Sequence, residues 1–117
     1  MVIANDQKAR NEIAKISLLM KAEKKDIIEG IWEIYGLWSD SNLPMNDTYY
    51  LIVGIASETD QIKKNKARQY FSKEFLEKQD AWEKEYLNSE KSSIDKLVEE
   101  LIQIPIVEEE EYPYPSQ

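Results

Sequence analysis

Ala9, Ile13, Ile16 and Met20 recur at three- and four-residue spacing, with Lys8, Glu12 and Lys15 set between them. That period is one apolar stripe on an α-helix, and it predicts a first helix over residues 6–21. Ile27, Ile31, Ile34 and Trp38 make a second stripe, widened by Ile28, Trp32 and Tyr35. This predicts a helix over residues 25–38 whose broad apolar face is buried against more than one neighbour. Gly30 sits inside it, a residue that weakens a helix slightly and often permits close packing. Ser39-Asp-Ser-Asn-Leu-Pro44 reads as a loop, after which Asn46 or Asp47 can cap a third helix over residues 47–58. The segment Tyr49-Tyr-Leu-Ile-Val-Gly-Ile-Ala56 also suits a buried strand by its β-branched and aromatic content. Helix is the preferred reading, because no other segment offers it a strand partner.

Residues 61–69 form a basic connector. Ser72 then caps a helix with Glu74 and Glu77 in its first turns, where the helix dipole favours acids. Phe75, Gln79, Trp82 and Tyr86 continue one face; Ile94, Leu97, Val98, Leu101 and Ile104 resume it; Pro105 ends it. Asn88-Ser-Glu-Lys-Ser-Ser93 is a poor helix interior, so residues 73–104 are one long helix or two joined by a kink. Trp32, Trp38 and Trp82 lie on apolar stripes and are expected in the core. The predicted fold is all-α: a small bundle of about four principal helices, with a long C-terminal helix. Residues 1–104 form one domain, and residues 105–117 an extended acidic Tyr-Pro tail.

Composition agrees with this picture. The chain of 117 residues is 42% apolar and 32% charged, with only three Gly and four Pro, which suits a globular helical domain. It has no Cys and no His. That excludes thiol catalysis, Ser-His-Asp triads, imidazole acid–base chemistry and the usual structural zinc sites. The N-terminal segment lacks the apolar run of a signal peptide, and no run is long enough to span a bilayer. A cytoplasmic protein without a cofactor or membrane association is expected.

Charge changes the picture more. The net charge is −8, and no Lys or Arg occurs between Asp26 and Ile62. Residues 61–84 carry 7 Lys/Arg against 4 Asp/Glu, and residues 85–117 carry 2 against 9. An acidic field of this kind repels phosphate backbones and attracts basic proteins.

Several constellations have simpler explanations than a site. Asp40-Ser-Asn42 begins like a calcium-binding loop, but Pro44, Met45 and Leu51 occupy the positions of a ligand, the turn glycine and the closing Glu. Asn46-Asp-Thr48 matches a glycosylation sequon without a secretory signal. Glu58 and Asp60 beside an apolar segment could do acid–base work, an alternative that makes the chain an enzyme, but among 23 acids close pairs are inevitable and solvation of a helix end and loop explains this one more simply. Lys63-Lys-Asn-Lys-Ala-Arg68 followed by Tyr70 and Phe71 pairs cations with aromatics, as in single-strand nucleic-acid binding. A solvated loop explains it more simply, and no nucleic-acid partner is expected. Tyr112 and Tyr114, beside Glu108, Glu109, Glu110 and Glu111, are rigid amphipathic anchors of the type that dominate interfaces.

Val53-Gly-Ile-Ala-Ser57-Glu58-Thr59-Asp60, then Arg68, then Phe71-Ser72-Lys-Glu-Phe-Leu76 with Lys78 and Asp80, resembles a pattern in a family of small uncharacterised bacterial helical proteins. In that pattern an apolar helix ends in Ser-Glu-Thr-Asp, a short loop leads to an Arg, and a capped helix follows. The resemblance covers roughly residues 27–102 and departs at Lys64-Asn65, where the family has Pro-Gly. It carries no established chemistry. It implies a structural network of Glu58, Asp60 and Arg68 tying the third helix to the last. In size, acidity and helical make-up the chain is also similar to immunity proteins encoded beside bacterial toxins, including those of contact-dependent growth inhibition systems.

The expected function is binding rather than catalysis: an immunity protein that covers the basic substrate-binding surface of a nuclease toxin. The candidate contacts are Glu29, Glu33, Asp40, Asp47, Glu108, Glu109, Glu110, Glu111, Tyr112 and Tyr114. The alternative is a structural or housekeeping protein that self-associates through its last helix.

Overall fold

The computed structural model describes residues 2–104, with side chains from Asp6 onward. Among them every regular element is helical: α1 (Val2–Lys21), α2 (Ile27–Ser39), α3 (Asp47–Glu58), a 3-10 helix (Asn65–Tyr70), α4 (Lys73–Ser89) and α5 (Lys91–Ile102). The tail at 105–117 lies outside the described residues.

The starts are set by side-chain caps. Asp26 accepts from the Glu29 amide (3.0 Å) and opens α2, and Asn46 accepts from the Tyr49 amide (3.0 Å) and opens α3. Ser72 accepts from the Phe75 amide (3.1 Å) and opens α4. Each bond satisfies an amide that the helix itself leaves without a partner. α1 ends in a Schellman turn: the Lys24 amide donates to the Leu19 carbonyl (2.8 Å) and the Glu23 amide to the Met20 carbonyl (3.1 Å). The turn places Glu23 at φ 60°, the left-handed region that normally takes glycine.

Residues 49–56 are helical, and Tyr49, Ile52 and Ile55 of that segment are buried. Of the two readings of residues 73–104, the structure has two helices: the segment is divided at Glu90, whose backbone leaves helical geometry (φ −101°, ψ 10°) between α4 and α5. Just before the break Ser89 turns its hydroxyl back to the Tyr86 carbonyl (3.0 Å). Such local bonding competes with helix continuation.

The core lies between α1, α2, α3 and α5. Ile13, Ile16 and Met20 of α1 meet Ile31, Ile34 and Trp38 of α2, Tyr49, Ile52 and Ile55 of α3, and Ile94, Leu97, Val98 and Leu101 of α5. Each such side chain taken fully from water contributes about 1.5–3 kcal/mol before entropy is counted. Ser17 and Trp38 have their polar atoms satisfied inside: the Ser17 hydroxyl donates to the Ile13 carbonyl (2.8 Å), and the Trp38 indole donates to the Pro44 carbonyl (3.1 Å). α1 and α2 approach so closely that a Cβ on Gly30 would overlap Sδ and Cγ of the buried Met20. α4 differs from the rest, having no buried residue. Trp82, expected in the core, is 46% exposed.

Two stability measurements check this account. Glu23→Gly relieves the left-handed strain and is expected to raise unfolding stability by about 1 kcal/mol in urea denaturation. Gly30→Ala is expected to lower it by about 1 kcal/mol, because overpacking against Met20 outweighs the gain in helix propensity.

Candidate functional site

The acid-rich stretch from Asp26 to Asp60 is divided by the fold. At one end of the bundle its acids are already engaged. Glu33 pairs with Lys25 (2.7 Å), and Glu29 accepts from the Asn65 side-chain amide. Asp26 accepts from Lys64 Nζ (3.1 Å), and the same ammonium reaches Glu83 of α4 (2.7 Å). Partial burial by itself pulls the Lys64 pKa down, but the hydrogen bonds to Glu83 and Asp26 more than offset it, so the net shift is upward. Lys25 is likewise held protonated, first by its hydrogen bond to Glu33.

At the opposite end α2 stops and α3 starts, and there Asp40 and Asp47 are exposed. Among the described residues no Lys or Arg lies within 4.0 Å of either carboxylate. Two neighbouring acids face the same loop: Asp6 accepts from the Asn42 amide (3.1 Å), and Glu100 of α5 accepts from the Thr48 hydroxyl (3.3 Å). α5 also finishes here, where Arg10 of α1 donates to the Ile104 carbonyl (3.4 Å). Of the proposed contacts, then, Asp40 and Asp47 stand together while Glu29 and Glu33 belong to the other end. Glu108, Glu109, Glu110, Glu111, Tyr112 and Tyr114 lie outside the described residues.

Glu58 and Arg68 each tie their segment to α4, through different partners. Tyr86 donates its hydroxyl to Glu58 Oε1 (2.6 Å). Arg68 forms a two-pronged pair with Asp80, both distances 3.0 Å, and its hydrogen bonds hold the Asp80 carboxyl below its ordinary range. Asp60 is exposed and makes no ion pair among the described residues. Between these links, Gln79 accepts from the Lys63 amide (2.8 Å) and donates to the Lys63 carbonyl (3.0 Å). Asn65 takes φ 53°, a backbone suited to the glycine of the resembled pattern and tolerated by asparagine.

These polar links hold α4 against the bundle and leave an aromatic ladder open. Phe71 stacks on Phe75 (5.0 Å between centroids) and Trp82 on Tyr86 (5.2 Å). Lys63 lies over the Phe71 ring at 5.2 Å. A groove of about 490 Å³ runs beside them, lined by Glu58, Gln61, Ile62, Phe75, Lys78, Gln79 and Trp82. It holds one carboxylate of the Glu58/Asp60 pair, already bonded to Tyr86, so the two acids do not converge on it. A second cleft of about 560 Å³, lined from α1, α4 and α5, carries the pairs Lys21 with Glu99 (2.6 Å) and Lys91 with Asp95 (3.0 Å) and the further acid Glu23. Among the described residues no cluster of three metal-ligating side chains occurs, and no helix is long and apolar enough to cross a membrane.

Sequence reasoning missed the α4 partners Asp80, Glu83 and Tyr86. The signal available was the sparse apolar face of residues 73–89, too narrow to be buried like those of its neighbours. No sequence profile of a known family matches the chain, no curated protein is similar to it, and no solved structure resembles it. The geometry alone therefore carries the functional reading.

Burial and the Glu58 carboxylate both push the Tyr86 phenol above its ordinary value of 10.0. In the unfolded chain it ionises near that value, so above it the unfolded state binds fewer protons and stability falls as pH rises. A urea series between about pH 9 and 11 is expected to show that fall reduced in Tyr86→Phe.

Proposed function

We propose that this chain is a cytoplasmic binding protein of the immunity type, which neutralises a nuclease toxin by covering its basic substrate-binding surface. One observation carries the reading: Asp40 and Asp47 stand exposed, with no ion-pair partner among the described residues, at the end where α5 finishes. The sequence beyond α5 continues into Glu108, Glu109, Glu110 and Glu111, followed by Tyr112 and Tyr114. Unpaired acids on one end concentrate negative potential, which speeds encounter with a cationic cleft and competes with its nucleic-acid substrate. The tail tyrosines supply apolar area that charge alone lacks. Glu29 and Glu33, engaged within the fold, contribute to the field rather than to direct contact. The net charge of −8 agrees with this role.

The test mixes the purified chain with a toxin nuclease domain encoded beside its gene. Expected is inhibition of the nuclease, with association slowed at least about tenfold between low and high salt. Asp40→Lys with Asp47→Lys should slow association similarly while leaving thermal stability unchanged. Association indifferent to both salt and this charge reversal would remove the electrostatic mechanism.

A further inference from the structure

We infer that the cleft lined from α1, α4 and α5 is a binding site for a small organic amine, its ammonium group on Glu23 and its apolar body against the cleft floor. The cavity, about 560 Å³, is of ligand size. Its floor is aliphatic: Met20 from α1, Ile27 from α2, Leu87 from α4, and Ile94 and Val98 from α5. Met20, Ile94 and Val98 belong to the core, so the floor is preformed and a ligand need not order it. Both irregular backbone positions at this end of the bundle border the cleft. α4 gives way to α5 at Glu90, and the lining passes from Leu87 and Asn88 to Lys91 and Ile94 across that break. Glu23 stands at φ 60°, where glycine would sit without strain. Glycine would leave the turn intact and take a carboxylate away from the rim. Backbone strain kept at the mouth of a cavity points to a use for the side chain that causes it.

Charge selects the ligand. Lys21 is taken by Glu99 (2.6 Å) and Lys91 by Asp95 (3.0 Å). Glu23 has no Lys or Arg within 4.0 Å among the described residues, so the lining carries one uncompensated negative charge. An ammonium meets that charge with a charge-assisted hydrogen bond, which partly enclosed apolar surroundings strengthen. The side-chain amide of Asn88, on the same lining, offers it a second acceptor. An anionic ligand would be repelled, and a neutral one would leave the carboxylate unmatched. The cleft lies where α1 stops and α2 starts, away from Asp40 and Asp47, so the site stands or falls independently of the inhibitor reading.

Tryptamine, titrated into the isotope-labelled full chain and followed by NMR, tests the site. Expected are saturable shifts concentrated on Met20, Ile27, Leu87, Ile94 and Val98, with a Kd of about 1 mM or tighter for a ligand of this size. Glu23→Gln keeps the left-handed turn and removes only the charge; it should weaken binding about tenfold. Asn88→Trp fills the cleft from an exposed position, and should abolish binding with the helical circular dichroism retained. Shifts that never saturate, or that spread over the acidic surface at large, overturn the inference. So does binding undiminished in Glu23→Gln, or equally strong for indolepropionate, the matching carboxylate.

Discussion

One ammonium group decides how the outermost helix sits. Lys64 Nζ touches Asp26, the cap of α2, and Glu83, midway along α4, so a single side chain relates the bundle to its appended helix. The surrounding links repeat this logic with other chemistry: an amide side chain on a backbone, a guanidinium on a carboxylate, a phenol on a carboxylate. All are directional, so they fix position well. All trade against water, so the exposed Arg68–Asp80 pair adds only about 0–1 kcal/mol, whereas Lys64 and Glu83 are largely shielded from solvent. α4 is therefore placed by these links and by the partly buried Tyr86 and Leu87, while the fully buried interior is built by the other four helices.

That division follows from where isoleucine, leucine and valine are spent. α1, α2, α3 and α5 each bury several large aliphatic or aromatic side chains, and α4 buries none. Phe75 and Trp82 are left exposed on it, while Tyr86 and Leu87 pack partly buried against the core. The consequence is a molecule with two unlike ends, one presenting unpaired carboxylates and one presenting rings bordered by lysines. The Glu58/Asp60 pair is not brought together by the fold. Here Glu58 is bonded to Tyr86 and Asp60 lies apart from the groove.

Much of the architecture was legible in the residues. The periods of Ile13, Ile16 and Met20 and of Ile31, Ile34 and Trp38 mark the buried faces of α1 and α2, and the caps Asn46 and Ser72 mark helix starts. The choice of helix for residues 49–56 also agrees with the fold, since the segment has no strand to pair with. What escaped were features decided by tertiary context. Trp82 carries the same local pattern as Trp38, yet only Trp38 has a neighbouring helix to cover it. Arg68 was joined to Glu58 and Asp60 on sequence grounds, and geometry gave it Asp80. The left-handed backbone at Glu23 had no glycine to announce it. Of the candidate site, the clustering of acids was visible, but which of them meet internal lysines depended on Lys64 and Lys25 folding back on α2 and α4.

Native-state hydrogen exchange in dilute solution tests the central claim most directly, because it reads the opening of each helix separately. Amides in the middle of α4, from Glu77 to Tyr86, should exchange through local openings well below the global unfolding free energy. Those of Ile31, Ile34, Leu97 and Val98 should exchange only with global unfolding. If the amides of α4 exchanged at the same free energy as those core amides, the helix would be an integral part of the core, and the picture of a helix held by polar tethers would be wrong.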